Sequence, residues 1–244
     1  MTRIALISDI HSNVVALRAV LEDIRRARVD QVICLGDVAN LGPEPNLVIE
    51  ILACLGCPCI MGNHDEFLLE PALVHSYASR SPQIVASVDW SRSKLSSSEL
   101  DFIRGFERDR EFDLGGTSKL YVFHGSPRSN VEGVLATTPP DTLDEMLAGA
   151  SATVMAGGHT HIQMLRQHHG HLLVNPGSVG LASKDYVRLG SGTILGHAEY
   201  AVVEEATGKI EVSLRRVPLD KDELRRTHMQ SDHPLRDYLL SQYS

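Results

Sequence analysis

Five short polar clusters in this sequence carry the residue types that bind metal ions. They are Asp9-Ile10-His11, Gly36-Asp37, Gly62-Asn63-His64-Asp65, His124-Gly125 and Gly158-His159-Thr160-His161. Each cluster alone is a weak signal, because an Asp after a strand is often a helix cap and a single His is usually a hydrogen-bonded polar residue. Together they offer carboxylate, imidazole and amide groups. This set suits Mn²⁺, Fe²⁺ or Zn²⁺ better than Ca²⁺ or Mg²⁺, which prefer oxygen ligands.

Asp37 is the natural bridge between two such ions. One carboxylate has two oxygens, and its negative charge offsets the repulsion between two cations about 3.5–4 Å apart. A water held between the ions loses a proton near neutral pH and becomes a nucleophile. The chemistry expected of the clusters is therefore activation of a water molecule by two bound metal ions.

Glycines beside these ligands support the same interpretation. A chain that turns sharply at a strand end to aim a side chain at a metal often needs a residue without a Cβ atom. Gly36, Gly62, Gly125 and Gly158 stand where such turns are expected.

The clusters follow apolar runs that predict strands of a single sheet. Strands are predicted at 4–7, 31–35, 58–61, 120–123, 153–156, 164–167, 172–174, 200–204 and 210–215, with helices from 14, at 45–55 and at 140–147. Asn13 is placed to cap the first of these helices. The first third thus has a βαβαβ pattern, and ligands of α/β sheets gather at the carboxyl ends of strands.

The length and composition favour one large domain. The chain has 244 residues, of which 43% are hydrophobic, enough for a single α/β domain over residues 1–244. The segment from 66 to about 106 is expected to be helical and to cover a sheet edge or overhang the site. A polar helical tail is expected from about residue 220.

The order of the motifs, D-x-H, G-D, G-N-H-D, H and G-H-x-H, resembles the calcineurin-like metallophosphoesterase superfamily. Residues 42–46, 124–128 and 175–180 look like the small bacterial and archaeal branch of prokaryotic phosphodiesterases. The resemblance extends from residue 1 to about 215. It implies a β-sandwich of mixed sheets flanked by helices, in four layers αββα.

The resemblance also implies roles for the site residues. The first ion would be bound by Asp9, His11 and His161, the second by Asn63, His124 and His159, and both by Asp37. His64 would face the phosphate without binding metal, either protonating the leaving oxygen or stabilising charge on the phosphoryl group, and Asp65 would orient it. Asn63 and Arg128 are further candidates for contact with the phosphate, although Arg128 could equally be a solvated surface residue.

Two departures from the family pattern narrow this prediction. Protein Ser/Thr phosphatases of the superfamily follow the G-D motif with a phosphate-binding Arg, whereas this chain has Val38-Ala39-Asn40 there. A protein phosphatase is therefore disfavoured. The segment 181–196, which replaces a shorter loop in similar phosphodiesterases, leaves the inherited substrate preference open.

Charge and cysteine content exclude other classes. A net charge of −8 and a pI near 5.8 give no general reason to bind nucleic acid or an anionic membrane. We expect a cytoplasmic protein, because there is no secretory leader pattern and only four cysteines. Cys54 and Cys57 form a C-x-x-C without the partners of a zinc or redox site, so small apolar side chains are the simpler interpretation.

Several alternatives stay open at this level. The fold could serve as a non-catalytic interaction scaffold, as in the retromer subunit of the superfamily, or as a phosphomonoesterase with the same metals. A homo-oligomer is also open. His168, His169 and His171 are expected to be exposed turn residues rather than a third metal site.

Overall fold

The computed structural model describes residues 1–78, 81–186 and 192–243. The strands are β1 (Thr2–Ile7), β2 (Gln31–Cys34), β3 (Asp109–Gly115), β4 (Ser118–Phe123), β5 (Val154–Ala156), β6 (Met164–His168), β7 (His171–Asn175), β8 (His197–Ala206) and β9 (Lys209–Pro218). The helices are α1 (Val14–Ala27), α2 (Pro45–Leu55), α3 (Asn63–Leu69), α4 (Ala72–Tyr77), α5 (Pro82–Lys94), α6 (Ser97–Arg104), α7 (Pro140–Leu147), α8 (Lys221–Met229) and α9 (Arg236–Gln242).

The strands form two mixed sheets, so the single sheet expected from the apolar runs was wrong. The first has the order β2-β1-β8-β9, with β1 parallel to β2 and antiparallel to β8. The second has the order β3-β4-β5-β7-β6, in which β4, β5 and β7 are parallel neighbours. The strand predicted at 58–61 is reduced to two isolated bridges, because the chain enters α3 at Asn63.

Apolar side chains from the two sheets meet in one buried layer. Ile4 and Leu6 from the first sheet lie in the same cluster as Leu120, Val122 and Val154 from the second. Removing such a side chain from water contributes about 1.5–3 kcal/mol. A separate cluster joins β1 to α1 and α2, and another joins β5 and β7 to α7. The predicted four-layer αββα sandwich is therefore confirmed.

The start of α1 holds the loop that follows β1. Asn13 Oδ1 accepts a hydrogen bond from the Ala16 backbone N–H at 3.0 Å, as predicted for an N-cap. Asn13 Nδ2 donates to the Gly180 carbonyl oxygen at 3.1 Å. The loop between β1 and α1 is thus tied both to its own helix and to a distant segment.

The C-terminal tail, residues 220–243, packs back onto the domain. Leu224, Leu239 and Tyr243 are buried in one cluster with Val15 of α1 and Ile194. Asp220 caps α8 by accepting from the backbone N–H groups of residues 222 and 223. Within the described residues, no helix is both long and apolar enough to cross a membrane.

Candidate metal centre

The loops that follow β1 and β2 run side by side. The backbone N–H of Asp9 donates to the Gly36 carbonyl at 2.9 Å, and that of His11 donates to the Asp37 carbonyl at 3.0 Å. The Ser12 N–H donates to the Val38 carbonyl at 2.9 Å. These bonds bring the side chains of both loops to the carboxyl ends of the parallel strands.

Asp9, His11 and His161 form the first group of side chains. His11 Nε2 lies 3.0 Å from His161 Nε2, and Asp9 Oδ1 lies 3.2 Å from His161 Nε2. His161 Nδ1 lies 3.0 Å from the Leu181 carbonyl oxygen, which only accepts, so Nδ1 carries a hydrogen. In the neutral ring, Nε2 then directs a lone pair at the other two ligands.

Asp37, His124 and His159 form the second group, with Asn63 beside them. Asn63 Oδ1 lies 2.9 Å from His159 Nδ1 and 3.2 Å from His124 Nε2. His124 Nδ1 donates to the Leu35 carbonyl at 2.7 Å. Its Nε2 is therefore the atom available to an ion.

Asp37 lies between the two groups. Its Oδ2 is 3.3 Å from His124 Nε2 and 3.9 Å from His11 Nε2. Its Oδ1 accepts from the His64 backbone N–H at 2.8 Å. This carboxylate faces both groups, as a bridging ligand requires.

The backbone is strained at most of these ligands. Asp9, His11, Asp37, His159 and His161 all have positive φ, between 49° and 67°. Residues with a Cβ atom adopt this region at an energetic cost, and such strain clusters at functional sites. The loops that carry these ligands thus adopt a strained backbone that directs the ligand side chains toward one another.

Two glycines allow the loops to approach one another. A Cβ at Gly62 would lie 2.1 Å from Asp37 Oδ1, and a Cβ at Gly158 would lie 2.0 Å from Ser8 Oγ and 2.6 Å from Asp9 Oδ2. Both glycines are therefore required by close packing against the ligand loops.

The two ligand groups fit cations, because carboxylate oxygens and imidazole nitrogens with lone pairs face one another within each group. The carboxylates of the centre also favour a positive charge on two of its histidines. Burial acts to lower the pKa of His124, but the carboxylates of Asp37 and Asp9 raise it to about 10. Burial also opposes protonation of His161, yet Asp9 raises its pKa. Burial and the neighbouring His161 lower the pKa of His11 to about 3.

His64 is buried beside this centre, and its partner differs from the predicted one. Asp65 does not orient His64: its carboxylate accepts from the backbone N–H groups of Asp37 at 2.7 Å, Val38 at 2.9 Å and Gly62 at 3.1 Å. Asp65 therefore shapes the loops. His64 Nδ1 instead lies 2.8 Å from Asn40 Nδ2.

Arg128 lies at the surface, one of the two outcomes that the sequence left open, whereas His168 of the hairpin differs from expectation. The guanidinium of Arg128 pairs with Glu132, with Nε 2.8 Å from Oε1, and does not line the cleft described below. His168 is buried rather than exposed, with Nε2 2.6 Å from Asp144 Oδ1, because the hairpin packs against α7. His169 lies on the same carboxylate, and these three side chains could together hold an ion. The four cysteines are free thiols.

A cleft of about 380 Å³ opens onto the two groups. Asp37, His64, His159 and His161 lie at its polar end. Its other walls come from three parts of the chain: Tyr77 and Ile84; Leu181, Tyr186 and Ile194; and Leu235, Tyr238 and Leu239 of the tail. The segment 181–196, expected to lie near the site, does line the cleft where it is described. Residues 187–191 are outside the described residues.

The fold and the motifs place the chain in a class. A family model described as the calcineurin-like phosphoesterase superfamily domain matches residues 2–195. The chain belongs to this superfamily, as its motifs predicted. The family implies bound divalent metals and a phosphoester hydrolase activity.

One sequence relative and two solved structures are similar to this chain over most of its length. An uncharacterized protein from Methanocaldococcus jannaschii is 28% identical over 215 residues, covering 86% of this chain and 85% of that protein. A metallophosphoesterase from Sphaerobacter thermophilus has a TM-score of 0.74 at 22% identity, covering 99% of this chain and 98% of that one. A hypothetical protein from Pyrococcus horikoshii has a TM-score of 0.82 at 19% identity, covering 99% and 97%. The structural likenesses show the shared fold.

Proposed function

We propose that this chain is a binuclear-metal-dependent phosphoesterase that hydrolyses phosphodiester, or phosphomonoester, bonds of a small or nucleotide-like substrate. The observation that carries the proposal is the position of the Asp37 carboxylate, which faces His11 of one ligand group and His124 of the other. Two divalent ions, Mn²⁺, Fe²⁺ or Zn²⁺, would be held there by the seven side chains already described.

When bound, such ions polarise the phosphoryl oxygens and lower the pKa of a water that attacks phosphorus. The chain contributes the groups around that reaction. Asn63 Nδ2 is buried without a hydrogen-bond partner among the described residues, while its Oδ1 faces His124 and His159. We assign this amide N–H to a phosphoryl oxygen, because an unpaired buried donor is costly until a ligand satisfies it.

The cleft supports a small substrate. Its volume of about 380 Å³ lies within the range of small-molecule sites. The leucine, isoleucine and tyrosine side chains of its walls would contact the organic group of the ester, while the polar end would bind the phosphate. A cytoplasmic location and the absence of nucleic-acid or membrane partners stay predictions from composition.

A substrate panel tests the proposal. Metal-stripped protein, reconstituted with Mn²⁺, should hydrolyse generic mono- and diesters, and the ratio of the two rates would define the preferred class. His64→Ala, purified in parallel, controls for contaminating phosphatases. No turnover of either class with both metals bound would contradict the proposal and favour a non-catalytic scaffold.

A further inference from the structure

A run of four hydrogen bonds, three of them buried, connects the C-terminal tail to His64. It begins at the Leu235 N–H, which lies 3.1 Å from His233 Nδ1, and continues from His233 Nε2 to Ser87 Oγ at 2.9 Å. Ser87 Oγ lies 2.7 Å from Asn40 Oδ1. Asn40 Nδ2 in turn lies 2.8 Å from His64 Nδ1. The family model ends at residue 195, so the tail histidine lies outside the matched domain.

At the tail end of this run, the donor and the acceptor of each hydrogen bond can be assigned. The Leu235 backbone N–H is only a donor, so Nδ1 of His233 accepts. The neutral His233 ring then carries its hydrogen on Nε2 and donates to Ser87 Oγ. That leaves the Ser87 hydroxyl hydrogen to be donated to Asn40 Oδ1.

The other end is defined by three donors that converge on the Asn40 amide oxygen, of which Ser87 makes the shortest bond. Asn40 Oδ1 also accepts from the Leu41 backbone N–H at 2.8 Å and from Ser91 Oγ at 3.1 Å. The oxygen of the Asn40 amide therefore points away from His64, and its NH₂ group faces His64 Nδ1. Nδ1 of His64 must accept, so the hydrogen of the neutral ring sits on Nε2.

The tail histidine is firmly placed. His233 is 2% exposed, and its ring packs perpendicular to that of Trp90, with centroids 4.7 Å apart. Trp90 Nε1 donates to the neighbouring Asp232 at 2.9 Å. Ser87 and Asn40 are fully buried. Water is thus kept from the bonds that set the orientation of each group.

We propose that His233 is a positioning residue, which through Ser87 and Asn40 holds His64 in the tautomer with hydrogen on Nε2. His64 lines the cleft, so this N–H is available to an oxygen of a bound phosphate. In this role His64 stabilises negative charge as a hydrogen-bond donor. The effect on turnover rests on the proposed function, whereas the tautomer itself does not.

Ring ¹⁵N NMR of zinc-loaded protein tests the tautomer directly. Wild type should show His64 with hydrogen on Nε2 alone. His233→Ala and Ser87→Ala weaken the hold on the Asn40 amide and should raise the share of His64 with hydrogen on Nδ1 above that of wild type. His233→Gln, whose amide N–H replaces Nε2–H, should restore the wild-type form. His228→Ala is the matched control, since the two ring nitrogens of this buried tail histidine have no hydrogen-bond partner among the described residues.

Kinetics on the same samples give a second readout. His233→Ala should lower kcat by about 2- to 30-fold, the range for a residue that acts through others, with KM and metal content close to those of His228→Ala. Unchanged His64 tautomer and kcat in both His233→Ala and Ser87→Ala would overturn the proposal. If His233→Ala fails to fold, Ser87→Ala carries the same test with the tail intact. A shifted tautomer in a protein that hydrolyses no ester would refute the proposed function but not the positioning.

Discussion

His124 directs Nε2 at Oδ2 of Asp37 across 3.3 Å, with both side chains buried. Because Asp37 also faces His11, Asp37→Asn should weaken both halves of the centre at once. An amide carries no charge to offset two cations. We expect metal affinity to fall by more than the roughly 10–100-fold typical of residues that only support ligands, and turnover to fall with it.

The control for Asp37→Asn is His168→Ala. His168 ends β6 at the opposite end from the ligand loops and contacts Asp144 of α7. The kcat values of the two variants make the comparison, and the metal content of Asp37→Asn is compared with that of wild type, because His168 belongs to a group that could itself hold an ion. An Asp37→Asn protein with two ions per chain and near-normal kcat would remove the bridging role.

Removing the His64 side chain should separate metal binding from action on the phosphate. His64→Ala should keep its metals and lose kcat by about 10²–10³-fold, as when one donor to a developing charge is removed. Since Asn40 holds Nδ1 as an acceptor, the loss should be equal for an alkoxide and a nitrophenolate leaving group. A much larger loss on the alkoxide ester would instead indicate proton donation to the leaving oxygen.

Gly158 offers a test of the close approach between ligand loops. In Gly158→Ala the new Cβ would overlap Ser8 Oγ and press on Asp9 Oδ2, so metal affinity and the free energy of unfolding should both fall. Gly196→Ala is the control, because its Cβ would only reach Lys221 at an ordinary 3.4 Å. Titration with Zn²⁺ and urea unfolding measure the two effects. Equal behaviour of both variants would show that the loops have room to separate.

The tail should be sensitive to acid. Burial lowers the pKa of His228 from 6.5 to about 4, and both ring nitrogens lack partners among the described residues. The unfolded chain therefore takes up a proton that the folded one excludes, and stability is lost as the pH falls from 6.5 toward 4. His228→Leu should gain about 1–2 kcal/mol in free energy of unfolding relative to wild type on going from pH 8 to pH 5. Urea denaturation at both pH values checks this, and a pH-independent difference would exclude His228 as a source.

The sequence predicts the metal-ligand residues better than the parts of the fold that surround them. Asp9, Asp37 and His124 lie within three residues of the ends of apolar strands, so local patterns place them at one end of the fold. Strand β3 was not predicted, because Asp109–Gly115 is a mostly exposed edge strand that lacks an apolar run and is held by its pairing with β4.

The partners of His64 show where sequence reasoning fails. Asp65 is its neighbour in sequence, yet its carboxylate turns to the backbone of residues 37, 38 and 62. The pair Ser87 and His233 is separated by 146 residues, and no periodicity or motif relates them. Contacts between a helical tail and a distant helix depend on packing of the whole domain, which local patterns do not report.

The central claim is that two divalent ions bound around Asp37 make this chain a hydrolase. The most direct test is a titration of metal-stripped wild-type protein with Mn²⁺, following hydrolysis of a nitrophenyl diester and the ions bound per chain on the same samples. We predict no turnover in stripped protein and full turnover only as the second ion binds, with Asp37→Asn inactive throughout. Turnover that is already complete in stripped protein, or absent at two bound ions per chain with every ester tried, would contradict the account.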